Sequence, residues 1–166
     1  MEIWDGYRKD GTLAGVDLVR GEMIPEGLYH LVCEILVRHR DGSFLLMQRD
    51  LRKEGWPGAW EATAGGSALK GENARQCAKR ELLEETGIES DCLQPIGRFV
   101  SHNTIYESYL CETDWAKENV SLQEGETIAF QWMEEADFIR FLHSGEMIPS
   151  QKKRYTKWFC HMGYME

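Results

Sequence analysis

Positive charge is scarce in this chain. Only 19 Lys and Arg residues stand against 28 Asp and Glu, a net charge of −9. That balance argues against a nucleic-acid scaffold and against a membrane-surface protein. A protein this negative that binds phosphates needs a metal ion or a local cluster of basic residues. No apolar run reaches transmembrane length, and no signal peptide is recognisable. The five cysteines (Cys33, Cys77, Cys92, Cys111, Cys160) are odd in number and form no CxxC. They read as reduced thiols in a cytoplasmic protein. No Cys/His cluster has the ligand spacing of a zinc site. Internal repeats, low-complexity tracts and linkers are absent. With 166 residues, 42% of them hydrophobic, one domain with a sizeable core is expected over residues 1–166.

Taken in order, the chain opens with two strand-like pieces, Glu2–Tyr7 and Gly15–Val19, around the hairpin signal Asp10-Gly11. This predicts an N-terminal β-hairpin within residues 1–20. Tyr29–Val37 is apolar and β-branched and reads as a buried strand, turning at Asp41-Gly42 into a strand over Ser43–Gln48. A charged loop, Asp50–Gly58, leads to a short strand over Ala59–Ala64. Further on, Cys92–His102 and Thr104–Glu112 read as two strands with a turn at Asn103. Thr113–Thr127 is polar and irregular, and Ile128–Met133 is a strand. Helices follow over about 134–162, broken at Ser144-Gly145 and restarted at Pro149. Mixed strands with a central helix and C-terminal helices predict an α/β sandwich, a mixed sheet covered on both faces.

The stretch that organises the chain is Gly65–Ile88, GGSALKGENARQCAKRELLEETGI. Gly65-Gly66-Ser67 reads as a tight loop. Lys70–Asn73 is a second breaker, with Glu72 and Asn73 suited to the first turn of a helix. Residues 73–86 hold no Gly or Pro and are rich in good helix formers. Gly87 then fits a left-handed helix end, with Ile88 as its hydrophobic partner. On this helix Glu81, Glu84 and Glu85 span an arc of about 100°. Ala74, Cys77 and Ala78 continue that arc as a small apolar face. Like charges at this spacing repel, and the last turns of a helix disfavour anions. A chain selected only for stability would place Lys or Arg there. Three hard oxygen donors on one face are what Mg²⁺ or Mn²⁺ requires. A solvated acidic face is the other reading, and the glycine loop and apolar continuation weigh against it.

The spacing resembles, without a substitution, the signature of the Nudix hydrolases. Gly66 is followed across five residues by Glu72, then across seven by Arg80-Glu81-Leu82, one residue, Glu84-Glu85, one residue, Gly87-Ile88. At about 7% usage per fixed residue, a chance match has odds on the order of one in a million or lower. The resemblance implies a Nudix-type α/β/α sandwich and an enzyme that hydrolyses diphosphates linked to another moiety. It implies Mg²⁺ or Mn²⁺ held by Glu81, Glu84, Glu85 and the Gly65 carbonyl. One of these glutamates, or a water beside it, would generate the nucleophile. Arg80 points about 100° from Glu81 and reads as orienting the glutamates and Glu72 by charge-assisted hydrogen bonds. Relatives often supply another acid from a later loop. Here Glu126 is preferred, then Glu124, with Glu118 in the same loop. Arg49 and Arg52 are candidates to hold the distal phosphate. Trp56 and Trp60 read as packing residues, with stacking on a ring the other use. His30 reads as a hydrogen-bonded core histidine. The resemblance also allows a homodimer paired through residues 1–20.

A second resemblance runs through Pro25-Glu26-Gly27, Tyr29–Val32 and Trp56–Glu61, which look like the isopentenyl-diphosphate isomerases of the same fold. Their catalytic cysteine would fall five residues after Trp60, where this chain has Gly65. The intact hydrolase signature also departs from the isomerase pattern. The sequence therefore reads as a hydrolase of a small-molecule diphosphate, with the isomerase and a non-catalytic diphosphate-binding module as alternatives. Which diphosphate it takes is not encoded in the signature, because selectivity resides in loops outside it.

Overall fold

The computed structural model describes residues 1–166. Two strands, β1 (Ile3–Tyr7) and β2 (Leu13–Val19), form the N-terminal hairpin as a separate antiparallel sheet. The main sheet has seven strands: β3 (His30–His39), β4 (Phe44–Arg49), β5 (Trp60–Glu61), β6 (Ala64–Ser67), β7 (Leu93–Ser101), β8 (Thr104–Thr113) and β9 (Thr127–Met133). The helices are α1 (Ala74–Thr86), α2 (Glu135–His143) and α3 (Pro149–His161). None is long and apolar enough to cross a membrane.

The sheet is mixed because β3 pairs in parallel with β8, from His30↔Thr104 to His39↔Thr113, while its other pairings are antiparallel. β3 and β4 meet at Arg38↔Phe44 and then splay. The chain over residues 60–67 fills the fork: β5 pairs with β4, and β6 pairs with β3. Thr63 spans the fork from inside. Its hydroxyl accepts from the Val37 amide at 3.0 Å and donates to the Leu45 carbonyl at 2.7 Å.

Strand alternation sorts the core into two layers. Cys33, Ile35, Val37, Leu45 and Met47 face α1 residues Cys77, Ala78 and Leu82. Leu36, Phe44 and Leu46 face α2 and α3, where Phe44 stacks on Phe138 at 4.1 Å. Both sheet faces are covered, which explains why β3 is apolar from Leu31 to Val37 except at Glu34. The architecture is the expected α/β/α sandwich.

Three local expectations change. Gly65-Gly66-Ser67 is not a loop but part of β6, paired across from Glu34, Cys33 and Val32. A glycine pair carries no strand propensity, and this strand is imposed by its neighbour. α1 starts one residue later than Asn73, and Glu72 lies outside it. Asn73 is the N-cap: its side chain accepts from the Gln76 amide at 2.8 Å, and Gln76 returns a bond to the Asn73 amide at 2.9 Å. Trp56 does not pack. It is 55% exposed, with a left-handed backbone (φ 52°) that bulky residues rarely adopt. Trp60, by contrast, packs against the α2/α3 core layer.

Candidate active site

The C-terminal half of α1 lies against β6. A left-handed Gly87 ends the helix, its amide bonded to the Leu83 carbonyl at 2.9 Å. A Cβ there would also stand 2.4 Å from Ser121 Oγ, so glycine is required twice over. This stop leaves Glu84 and Glu85 in the last turn, with no basic residue to offset the helix dipole.

Arg80 is the hub of the cluster. Its Nε and Nη2 donate to the two oxygens of Glu72 at 2.7 and 2.9 Å. Nη1 donates to Glu81 at 2.6 Å and to Glu84 at 3.2 Å, and Nη2 also reaches the Ser67 carbonyl at 3.0 Å. One guanidinium thereby ties β6, the loop before α1 and two motif glutamates together. The hydrogen bonds from Arg80 hold the Glu72 carboxyl below its usual range, and the carboxylates push the Arg80 pKa up.

Glu85 is different. It is buried, and burial raises its pKa well above the ordinary value. Glu61, Glu81 and Glu126 add to that rise through their charge, and Lys53 opposes it. Burial raises Glu81 too, against the pull of Arg80. A fold gains nothing from stacking carboxylates in this way. The donor chemistry suits a hard divalent cation: carboxylate oxygens from Glu81, Glu84 and Glu85 beside the Gly65 backbone. No three acidic or histidine side chains stand here as a finished cage, since Glu81 and Glu84 are turned toward Arg80.

Two adjoining hollows meet at Lys53, Gly65, Gly66, Ser67 and Glu85. One, about 300 Å³, is strongly polar and holds Arg80, the three motif glutamates and Glu126. The other, about 270 Å³, runs toward α3 between Trp56, Tyr106 and Arg154. In it Arg49 donates to Glu61 at 3.2 Å and to the Gly55 carbonyl at 2.9 Å. Arg154 holds the buried Glu34 through both oxygens at 2.9 Å and lies 4.3 Å from the Tyr106 ring centre. A third hollow of about 360 Å³ lies under the hairpin, and Glu72 is the one motif acid that reaches it.

Of the sequence candidates, Arg80, Glu81, Glu84, Glu85, Gly65 and Glu126 gather in one cleft, with Arg49 at its other end. Arg52 does not join them. The chain turns at 50–53, and Asp50 captures Arg52 through its amide, Nε and Nη2, leaving the side chain 69% exposed. Lys53 takes that place and pairs with Glu126. Glu118 and Glu124 are exposed and absent from the cleft walls. Sequence reasoning missed Lys53, Arg154, and Glu2 and Arg20 of the hairpin. Each reaches the cleft through contacts far apart in the chain. His30 is half-buried, bonded to Asn103 and Thr104, and stacked on Trp4 at 4.6 Å.

A glycine-lined strand, an arginine-braced carboxylate cluster and a covered mixed sheet define an enzyme of the Nudix class. The NUDIX domain family model matches residues 28–159, and the chain belongs to this family of hydrolases. It is 34% identical over 151 residues to an uncharacterized Nudix hydrolase of Listeria monocytogenes, covering 90% of this chain and 89% of that one. It is 30% identical over 126 residues to the isopentenyl-diphosphate Delta-isomerase of Corynebacterium diphtheriae, covering 69% of each. Among solved structures it resembles DR0079 from Deinococcus radiodurans, with a TM-score of 0.69 and 20% identity over 87% of this chain and 91% of that one. A MutT protein from Methanosarcina mazei matches at a TM-score of 0.60 and 21% identity, over 81% and 95% of the two chains. These two structures share the fold.

Proposed function

We propose that this chain hydrolyses a phosphoanhydride bond in a nucleoside diphosphate linked to another moiety, or in a similar small diphosphate, with Mg²⁺ or Mn²⁺. The observation that carries the reading is Glu85, a carboxylate buried among Glu61, Glu81 and Glu126 at the end of α1. Such a cluster is unfavourable alone and becomes favourable around a divalent cation.

Glu81, Glu84, Glu85 and the Gly65 carbonyl would hold the ion. It would supply charge neutralisation on the diphosphate and a lowered pKa for the attacking water. Arg80 is a positioning residue, since its donors are spent on Glu72, Glu81, Glu84 and Ser67. Water attacks one phosphorus, whose bond to the bridging oxygen breaks. One phosphate leaves with that oxygen, the attacked phosphorus keeps the water oxygen, and the released proton passes finally to solvent. A motif glutamate or Glu126 accepts that proton first. Arg49 borders the far end of the cleft, where the rest of the substrate lies.

The isomerase relatives give a second reading a specific basis. Against it, Gly65 offers no thiol where the isomerase cysteine would fall. The deciding experiment measures phosphate release from a panel of diphosphates with Mg²⁺, for wild type and Glu84→Gln, alongside isomer exchange of isopentenyl diphosphate. Release from one compound that collapses in the variant supports hydrolysis. Isomer exchange without phosphate release overturns it, and no turnover of either kind leaves a binding module.

A further inference from the structure

The cleft must receive a polyanion although its own walls are acidic, and most of its cations are already held by those acids. Arg80 is saturated by Glu72, Glu81, Glu84 and a carbonyl. Lys53 is paired with Glu126, Arg49 with Glu61, and Arg154 with Glu34. All four side chains are no more than one quarter exposed. Arg20 differs. It borders the motif hollow with its side chain 67% exposed, and its one ion pair is through Nη1 to Glu2 at 3.1 Å. Most of its guanidinium donors are free.

Its place is nevertheless fixed. The Arg20 amide bonds to the Glu2 carbonyl at 3.0 Å, closing the open end of the hairpin. Trp4 Nε1 holds the other Glu2 oxygen at 2.7 Å, and the Trp4 ring stacks on His30 of β3. The hairpin is also fastened to the loop that precedes α1. The Lys70 amide bonds to the Ile3 carbonyl at 2.9 Å, the Gly71 amide to Asp5 at 2.7 Å, and Lys70 Nζ to Asp17 at 2.6 Å. The backbone that carries Arg20 is therefore anchored beside the loop that leads into the motif helix. Arg20 lies outside residues 28–159, the part matched by the family model.

We propose that Arg20 binds the anionic end of the substrate, a phosphate oxygen of the diphosphate taking the place of Glu2 on the guanidinium. The inference rests on the hydrolase reading above. Glu2 then acts as an internal competitor that holds Arg20 ready until a phosphate displaces it. A bond of this kind to an ionised partner is worth on the order of tenfold in affinity.

Three proteins test it: wild type, Arg20→Ala and Glu2→Gln. Binding of methylene diphosphonate with Mg²⁺ is measured by calorimetry, and KM and kcat are measured on whichever diphosphate wild type cleaves. Arg20→Ala is expected to weaken diphosphonate binding and raise KM about tenfold, with kcat within about twofold. Glu2→Gln breaks the same ion pair but leaves the cation, so it is expected to tighten binding. If the pair is merely structural, both variants weaken binding alike, and the proposal fails. It also fails if Arg20→Ala binds and turns over as wild type does. Wild type that cleaves nothing refutes the hydrolase reading instead, while the diphosphonate titration still reads Arg20.

Discussion

Gly66 lies directly beneath the carboxylate of Glu81. A Cβ at Gly66 would stand 2.4 Å from Glu81 Cδ and 2.4 and 2.6 Å from its two oxygens. The clash is with the far end of a flexible side chain, so the fold can absorb it by moving the carboxylate. Gly66→Ala is therefore expected to keep its melting temperature within a few degrees. Activity should drop about 100-fold, because a displacement near 1 Å at a reacting group costs about that much. A variant with full activity would show that the position of Glu81 does not matter.

Arg80 grips Glu72 with two parallel bonds and spends its remaining nitrogen on Glu81 and Glu84. Lysine carries the charge but not the fork. Arg80→Lys is expected to lower metal affinity or turnover about 10- to 100-fold, the usual consequence of losing a partner behind a ligand. Arg80→Ala should in addition lose about 2 kcal/mol of stability, since the poorly exposed Glu72 and Glu81 both lose their charged donor, Glu72 keeping only the Leu69 amide. Urea unfolding separates the two variants, and equal stability losses would contradict this account.

These two positions show what was legible in the chain. The signature marked Gly66 and Arg80 by spacing, and helix chemistry placed the glutamates on one arc. The reason for Gly66 was not readable, because a glycine in β6 meets Glu81 only once α1 has folded back onto the sheet. Arg52 was a candidate and Lys53 was missed, because one side chain's capture by Asp50 leaves no trace in composition. Trp56 looked like a packing residue by type, and only its exposure and left-handed backbone mark it as part of the cleft wall. The hairpin itself was predictable from Asp10-Gly11. Its docking against Lys70 and Gly71, which brings Arg20 to the site, joins segments more than 50 residues apart.

A second contact of the hairpin is the stack of Trp4 on His30. Burial lowers the His30 pKa from its ordinary 6.5, with the hydrogen bond to Asn103 opposing. The folded chain then binds this proton less tightly than the unfolded chain does. Stability from this group is complete above pH 6.5 and falls as the pH drops from 6.5 through the lowered value. Because His30 stacks on Trp4, the loss should appear first in the hairpin. Trp4 environment and amide exchange at Tyr7 and Lys70 should loosen over that window. His30→Phe keeps a ring against Trp4 and removes the titration, so its profile should be flatter there. An unchanged profile would exclude His30 as the titrating group.

Glu85 brings stability and function into opposition. In the metal-free protein its charge is buried beside Glu61, Glu81 and Glu126, with Lys53 as the opposing charge. Glu85→Gln removes that charge while keeping the shape. With a chelator present, the variant is expected to be more stable by about 1–2 kcal/mol, or about 3–6 °C in melting temperature. Adding Mg²⁺ should raise the melting temperature of wild type, because the ion binds the folded chain alone. The same addition should move Glu85→Gln far less, and its phosphate release should be lost. The order of stability would then invert between chelator and saturating Mg²⁺. A site shaped only by folding would instead lose stability when Glu85 is altered, and would respond to Mg²⁺ equally in both proteins. The inversion is thus the thermodynamic mark of a carboxylate retained for its ligand rather than for its fold.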